Sequence, residues 1–467
     1  MSHESAVEIA ESVRAGTRSA VEVLEGALEA IRREEGRLNA WVVVDEEGAR
    51  GTAAAVDAAV ARGEDPGPLA GVPIGVKDLE DCAGLPTGHG SLLYADHPPA
   101  DRDSVHVGRL RAAGAVPVGK TTAPEFGTLN FTSNKATGVT RNPWDPARTP
   151  GGSSGGSAAA VGAGTLPMAT ASDGGGSTRI PASFTGLVGF KASHGRIPHP
   201  SPQASQTSVW GVLTTTVADA ARHLDVAAGP DDRDRLSLPA SGVGYEAAIR
   251  DLDVAGLRVG WSPDLGFASV DPEVAEIAGA AAGTLADAAG LTWASRPVSL
   301  PDPVRTWMSA GAADLWLDLE PGMWPDRADD VTIFVRRVLE MTEDYPVPKY
   351  ARTLQRRQDL QVALAAMFDD VDVWLTPTTA VPAFAAEGPP PTTIDGREVE
   401  PAMATPFTML SNLTWGPACS LPAGLTAEGL PVGLQVMGRR HADEVVLRLA
   451  ATFERAAPWP RWAPAAT

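Results

Sequence analysis

Two glycine-rich stretches decide how this chain is read. They are Gly151-Gly152-Ser153-Ser154-Gly155-Gly156-Ser157 and, after a run of small residues, Ser172-Asp173-Gly174-Gly175-Gly176-Ser177-Thr178-Arg179-Ile180-Pro181-Ala182. Each cradles serines in glycine, and Ser153 and Ser177 lie 24 residues apart. A glycine inside a regular element costs about 0.5–1 kcal/mol relative to alanine, so this density needs a reason. It has one where the backbone approaches a ligand closely or aims consecutive N–H groups at an anion. The amides of Gly174, Gly175, Gly176 and Ser177 form such a candidate nest for an oxyanion. A tight turn without chemistry is the plainer alternative.

A serine nucleophile needs a base. Upstream, Gly71-Val-Pro-Ile-Gly-Val-Lys77-Asp78 reads as an apolar strand that ends in a lysine. Taken alone, Lys77 reads as a strand-end lysine in solvent. If buried, it would lose its charge as its pKa falls, and could then accept a proton. Asp78 points to the opposite face of a strand, so it need not hold Lys77 charged.

Further out, short apolar runs alternate with helical ones. Val72–Val76, Val116–Gly119, Leu257–Trp261, Val371–Leu375 and Pro431–Met437 read as strands; Ser104–Ala113 and Lys349–Phe368 read as helices. Ser19 with Glu22 reads as a capping box ahead of the stripe Val21, Leu24, Leu28 and Ile31. The alternation predicts an α/β fold with a mixed, mostly parallel central sheet flanked by helices on both faces. The Pro- and Gly-rich segments 229–242 and 385–401 read as surface loops inside one domain. The segment 300–346 carries Trp307, Met308, Trp316, Met323 and Trp324. Helices packing on the core are its first reading, and the lining of a substrate mouth is its second.

Composition narrows the function classes. The chain has 467 residues and a formal net charge of −20, which argues against a nucleic-acid partner. Its two cysteines, Cys82 and Cys419, support neither a disulfide framework nor a metal site. Met1-Ser2-His3-Glu4-Ser5 shows neither a basic n-region nor an apolar h-region, so no export signal is expected. The uncharged run 149–172 is too rich in Gly, Ser and Thr for a bilayer core, so the expected compartment is the cytoplasm, with no membrane partner.

Two motifs compete with the serine–lysine reading. Gly114-Ala-Val-Pro-Val-Gly119-Lys120-Thr121 matches a phosphate-loop pattern. However, it is preceded by a helical segment, carries Pro117 where an amide donor is needed, and is followed by Pro124. Gly151-Gly152-Ser153-Ser154-Gly155 matches the nucleophile elbow of Ser-His-Asp hydrolases. Of the downstream histidines, His194 and His199 follow too closely, and His441 sits in a charged run that reads as a surface helix start.

Taken together, these residues resemble the amidase signature family. Residues 151–198 follow that family's glycine–serine order, and Gly71–Asp78 extends it upstream. Asn412-Leu-Thr-Trp-Gly-Pro-Ala418 and Gly429-Leu-Pro-Val-Gly-Leu-Gln435 extend it near the C-terminus. The resemblance covers most of 65–225, a core holding the reactive residues, and 370–455, the C-terminal part of the same domain. It is weak over 230–370, the variable substrate-mouth region.

The resemblance implies the amidase signature fold in one domain over 1–467. It also implies a Ser–cis-Ser–Lys triad. Ser177 would be the nucleophile that forms the acyl-enzyme, Ser153 the bridging serine behind a cis Gly152–Ser153 peptide, and Lys77 the base. Asp173 and Arg179 are expected to pair and hold the loop, and Ser154 to donate hydrogen bonds to the triad. No cofactor or metal is implied, and the expected assembly is a monomer or homodimer. The implied activity is hydrolysis of linear amides, aryl or aliphatic, with carbamates and esters open to the same chemistry. A glutaminase subunit of an amidotransferase and a Ser-His-Asp esterase are the alternatives. The sequence departs from the family pattern at Gly174, at Lys191-Ala192-Ser193, and at Trp415, a position the family usually fills with glycine. Residues 201–210 are expected to form a mobile loop over the site.

Overall fold

The computed structural model describes residues 4–294 and 298–464. Its fifteen strands are, in order, β1 (Trp41–Val44), β2 (Pro73–Lys77), β3 (Val116–Thr121), β4 (Ser133–Asn134), β5 (Gly138–Val139), β6 (Met168–Asp173), β7 (Val188–Lys191), β8 (Val209–Thr214), β9 (Arg258–Trp261), β10 (Thr292–Trp293), β11 (Val373–Pro377), β12 (Thr393–Ile394), β13 (Arg397–Glu398), β14 (Ala418–Leu425) and β15 (Pro431–Gly438). Eleven of them form one sheet in the order β1-β3-β2-β6-β8-β7-β14-β15-β11-β9-β10. The pairs β4–β5 and β12–β13 are separate two-stranded ribbons.

The fold class is the expected one, a single α/β domain on a mixed sheet flanked by helices, with fewer parallel neighbours than expected: four of the ten strand pairs in the sheet are parallel and six antiparallel. Its parallel pairs lie in the two flanks: β3–β2–β6 on one side and β11–β9–β10 on the other. The centre, from β6 through β8, β7, β14 and β15 to β11, is antiparallel. Parallel neighbours need long crossovers, whereas antiparallel ones can be joined by tight turns. Here β14 and β15 are linked by the short turn around Gly429.

The strands and helices named from the sequence are present, with no end shifted by more than two residues. The helix Ala20–Leu38 starts where the Ser19 side chain accepts from the Glu22 amide at 3.0 Å, and it buries Leu24, Leu28 and Ile31. The reciprocal capping box belongs instead to Ser5 and Glu8, at the head of the helix Ala6–Arg14. The helices Val105–Ala112 and Val347–Ala366 occupy the expected places. Apolar side chains gather in two large clusters. One packs the helices 20–38, 217–227, 272–289 and 443–456 on the sheet, and the other joins the segments 360–413 to Ile180 and Phe184.

Candidate active site

Lys77 ends β2, and its neighbour β6 runs parallel beside it. Side chains two apart on a strand share a face, and Thr170 and Ser172 of β6 both use theirs on Lys77. Thr170 Oγ1 accepts from the Lys77 amide at 3.0 Å, and Lys77 Nζ lies 2.8 Å from Ser172 Oγ. The same nitrogen lies 2.7 Å from Ser153 Oγ. Lys77 is completely enclosed. Burial lowers its pKa to about 7, against the opposing pull of Asp173 and Glu80. An appreciable share of the free amine therefore exists at neutral pH. Asp78 turns away: it accepts the amides of Gly88 and Gly90 at 2.9 and 3.2 Å and stands 3.6 Å from Lys120 Nζ.

The Gly152–Ser153 peptide is cis. From there the chain runs into the buried helix Gly155–Gly162. Ser154 supports the backbone rather than the reactive hydroxyls. Its amide donates to the Ser177 carbonyl at 3.2 Å, and its hydroxyl exchanges bonds of 3.4 Å with the main chain of Ser172. Its expected side-chain bond to the triad is absent among the described residues.

The second glycine stretch forms a loop between β6 and the helix Arg179–Thr185. Asp173 and Arg179 pair through two bonds, 2.9 and 2.8 Å, with neither side chain exposed. Burial alone would raise the Asp173 pKa, but Arg179 outweighs it and holds the carboxyl at about 2. The rest of the guanidinium is anchored by Asn412 Oδ1, Gln435 Oε1 and the Thr408 carbonyl at 2.6–2.8 Å. This saturates a buried cation and fixes the loop.

Of the four candidate oxyanion amides, that of Gly176 is already engaged, donating to Asp173 Oδ1 at 2.7 Å. The amides of Gly174, Gly175 and Ser177 make no hydrogen bond to another described residue. The carbonyls between them are turned outward, Gly174 O accepting from Trp307 Nε1 at 2.9 Å and Gly175 O from Thr408 Oγ1 at 2.6 Å. A Cβ on Gly175 would overlap the Trp307 ring, and Gly176 has a φ of +130°. Both positions therefore require glycine.

Ser153, Ser172 and Ser177 open on one cavity of about 1580 Å³. Phe126, Phe131, Ile180, Trp307 and Met308 give it apolar walls. The segment 300–346 thus serves both of its readings. Trp307 and Met308 face the cavity, while Trp316, Met323 and Trp324 join a separate apolar cluster with Val335 and Leu339. The 201–210 stretch is shorter as a loop than expected, because Val209 and Trp210 belong to β8. The remainder borders the cavity and is strapped on both sides. Asp314 Oδ1 accepts the amides of Ala204 and Ser205 at 2.6 and 2.9 Å, and Trp415 Nε1 donates to Gln206 O at 2.8 Å.

Neither competing motif finds its partners. No histidine bonds to Ser153 or Ser177 among the described residues. His194 stacks on Trp415 with ring centres 4.5 Å apart, and His441 is exposed. Lys120, the phosphate-loop lysine, is buried and donates to Glu80 O and Thr87 Oγ1 at 2.8 and 2.9 Å. Among the described residues no cluster of three or more His, Cys, Asp or Glu could hold a metal, and no helix is long and apolar enough to cross a membrane.

Sequence reasoning missed Ser172, Asn412 and Gln435. Ser172 carried a signal: with Thr170 it forms a polar pair at strand spacing beside Lys77. Asn412 and Gln435 stood within quoted motifs, but nothing local tied them to Arg179.

Known proteins resemble this chain over nearly its whole length. The amidase family model matches residues 22–447. An acylamidase of Rhodococcus erythropolis is 36% identical over 465 residues, covering 99% of this chain and 97% of its own length. A glutamyl-tRNA(Gln) amidotransferase subunit from Synechococcus sp. (strain RCC307) is 36% identical, covering 96% of each chain. The crystal structure of a bacterial aryl acylamidase of the amidase signature family superimposes with a TM-score of 0.90 at 31% identity, over 98% of this chain and 96% of that one. A 6-aminohexanoate cyclic dimer hydrolase follows with a TM-score of 0.84 at 28% identity, over 99% of both chains. On its sequence, its sheet and these relatives, the chain belongs to the amidase signature family and is an amidase, a hydrolase acting on amides.

Proposed function

We propose that hydrolysis runs through a Ser177 acyl-enzyme, with Ser153 as the bridging hydroxyl and Lys77 as the base. One observation carries this reading: a fully enclosed lysine, its pKa brought to about 7 by burial, 2.7 Å from Ser153 Oγ. Neutral Lys77 takes the Ser153 proton as Ser153 takes that of Ser177, and Ser177 Oγ attacks the amide carbon. The oxyanion meets the amides of Gly174, Gly175 and Ser177. Collapse breaks the C–N bond, and the leaving nitrogen takes a proton from Ser153, which Lys77 resupplies. Water then attacks the ester carbonyl by the same relay and frees Ser177 and the acid.

The apolar wall of Phe126, Phe131, Trp307 and Met308 suits an aryl or aliphatic acyl group. The acylamidase and aryl acylamidase relatives favour the same substrate class. Carbamates and esters are accessible through the same intermediate. Ser177→Ala should abolish turnover and labelling by a serine-directed phosphonate. Labelling that persists in the variant moves the nucleophile elsewhere.

The amidotransferase relatives favour a second reading, a glutaminase subunit that works with a partner chain. Gly189-Phe-Lys191-Ala192-Ser193-His194-Gly-Arg departs from the Gly-Leu-Lys-Pro-Thr-Tyr-Gly-Arg-like segment typical of that branch. Glutaminase activity seen only with a co-purifying protein would establish it, and a panel of aryl amides, aliphatic amides, aryl carbamates and glutamine separates the two.

A further inference from the structure

The cavity also reaches a polar recess bordered by Glu80, Ser104, His199 and Trp210, with Arg102 and Arg233 at its exposed rim. It lies beside the reactive groups because β8 pairs Trp210 directly with Ser172, and residues opposite each other in an antiparallel ladder share a face. Glu80 is the centre of the recess and is only 1% exposed. Its Oε1 is spent: it accepts from Ser104 Oγ at 2.7 Å and lies 2.9 Å from His106 Nδ1, whose Nε2 is 2.7 Å from His223 Nε2. Its Oε2 is buried and makes no close hydrogen bond among the described residues, although the Thr170 hydroxyl stands near enough to the carboxylate to lower its pKa.

The nearby lysine does not supply one. Lys120 Nζ donates to the main-chain carbonyl of Glu80 at 2.8 Å and lies 3.6 Å from Asp78. Two more buried atoms of the recess lack a partner among the described residues, His199 Nδ1 and Trp210 Nε1, on rings stacked 4.3 Å apart. Burial would raise the Glu80 pKa, but His106, Ser104 and Thr170 hold it below the usual carboxylate range, so the group is anionic at neutral pH. Burial lowers the pKa of His199, and a neutral imidazole keeps one ring nitrogen as an acceptor.

We propose that this recess is a subsite for a protonated primary alkylamine, the nitrogen product that cleavage of an N-alkyl amide releases. An alkylammonium brings positive charge and N–H donors to Glu80 Oε2 and, in the tautomer protonated at Nε2, to His199 Nδ1. A carboxylate product is repelled by Glu80, and an uncharged alkyl group leaves every one of these atoms unpaired. The Trp210 N–H is a donor, so an amine that also carries an oxygen acceptor fills the recess more completely than a simple alkylammonium. The inference rests on the Ser177 reading only for the origin of its ligand.

Saturation-transfer NMR with methylammonium as the probe, and tetramethylammonium as a cation without N–H donors, tests it without turnover. Methylammonium should bind saturably and tetramethylammonium should not. Methylammonium should also inhibit hydrolysis at an ionic strength where sodium chloride has no effect. Glu80→Gln should weaken methylammonium binding by about tenfold or more. His199→Phe keeps the stacked ring and should weaken binding several-fold, which covers the case that Glu80→Gln does not fold. Equal binding of the two cations, or an unchanged methylammonium affinity in either folded variant, overturns the proposal. Ser177→Ala should bind methylammonium as the wild type does. Turnover surviving in that variant would refute the nucleophile and leave the binding result standing.

Discussion

Two lysines lie near the ends of neighbouring parallel strands, one register step apart, and meet opposite fates. Lys77 on β2 pairs with Thr121, and Lys120 on β3 pairs with Val76. Both are fully buried, and burial lowers the pKa of both. Lys120 faces a carboxylate, Asp78, together with a carbonyl and a hydroxyl. Lys77 faces two serine hydroxyls, with its nearest acids acting only at longer range. A buried ammonium beside a carboxylate is compensated, whereas one beside hydroxyls is not and sheds its proton more readily. Burial alone, then, does not make a lysine a base; the chemistry of its partners does.

The largest effect expected from this contrast is at Lys77. Lys77→Met should lower kcat/KM by about 10³-fold, the scale of a lost general base. Lys120→Met should leave kcat per folded molecule within about tenfold, yet destabilise the protein by about 3–5 kcal/mol, because Asp78 is left buried without its cation. Steady-state kinetics and denaturant melts on both variants read the two effects separately, and the reverse ranking would erase the distinction between the two lysines.

pH provides the next test. On the proposed mechanism Lys77 must be neutral to accept a proton, so kcat/KM should be low in acid, rise through about pH 7 as Lys77 loses its proton, and level off above it. A profile flat from pH 6 to 9 would show that Lys77 does not titrate in the step measured. Smaller again, Ser172→Ala removes one of the two hydroxyls on Lys77 Nζ and should cost about tenfold in kcat/KM. The smallest effect is a null one. ATP should not move the melting temperature, since Lys120 is committed inside the protein.

How far the sequence could be read depends on the element. β2, β3, β11 and β15 were legible because each lies in a short, largely apolar run that carries Val, Ile or Leu. β6 was not: Met168-Ala-Thr-Ala-Ser-Asp173 is built of small residues and buried along its whole length, so it shows neither high β-propensity nor alternation. β7, β8 and β14 were not read from the sequence either, and with them most of the antiparallel centre of the sheet went unread. Trp415 is an instructive departure. It replaces the glycine usual in the family and holds a φ of +61°, a region that disfavours a bulky residue. Its indole compensates by bonding Gln206 O and stacking on His194.

The chemistry on offer was already written in the order of residues: glycine-flanked serines, an acid and an arginine six residues apart, and a lysine after an apolar run. These are local patterns whose spacing restricts what each backbone segment can do. Which of the groups meet was settled by folding. Lys77, Ser153 and Ser172 come from strand and loop segments far apart in the chain. Arg179 is anchored from segments more than 200 residues away. The Gly176 amide is claimed by Asp173 before any substrate arrives. Whether a lysine is a base or a structural cation depends on desolvation and on neighbours within a few ångströms, and both exist only once the chain has folded.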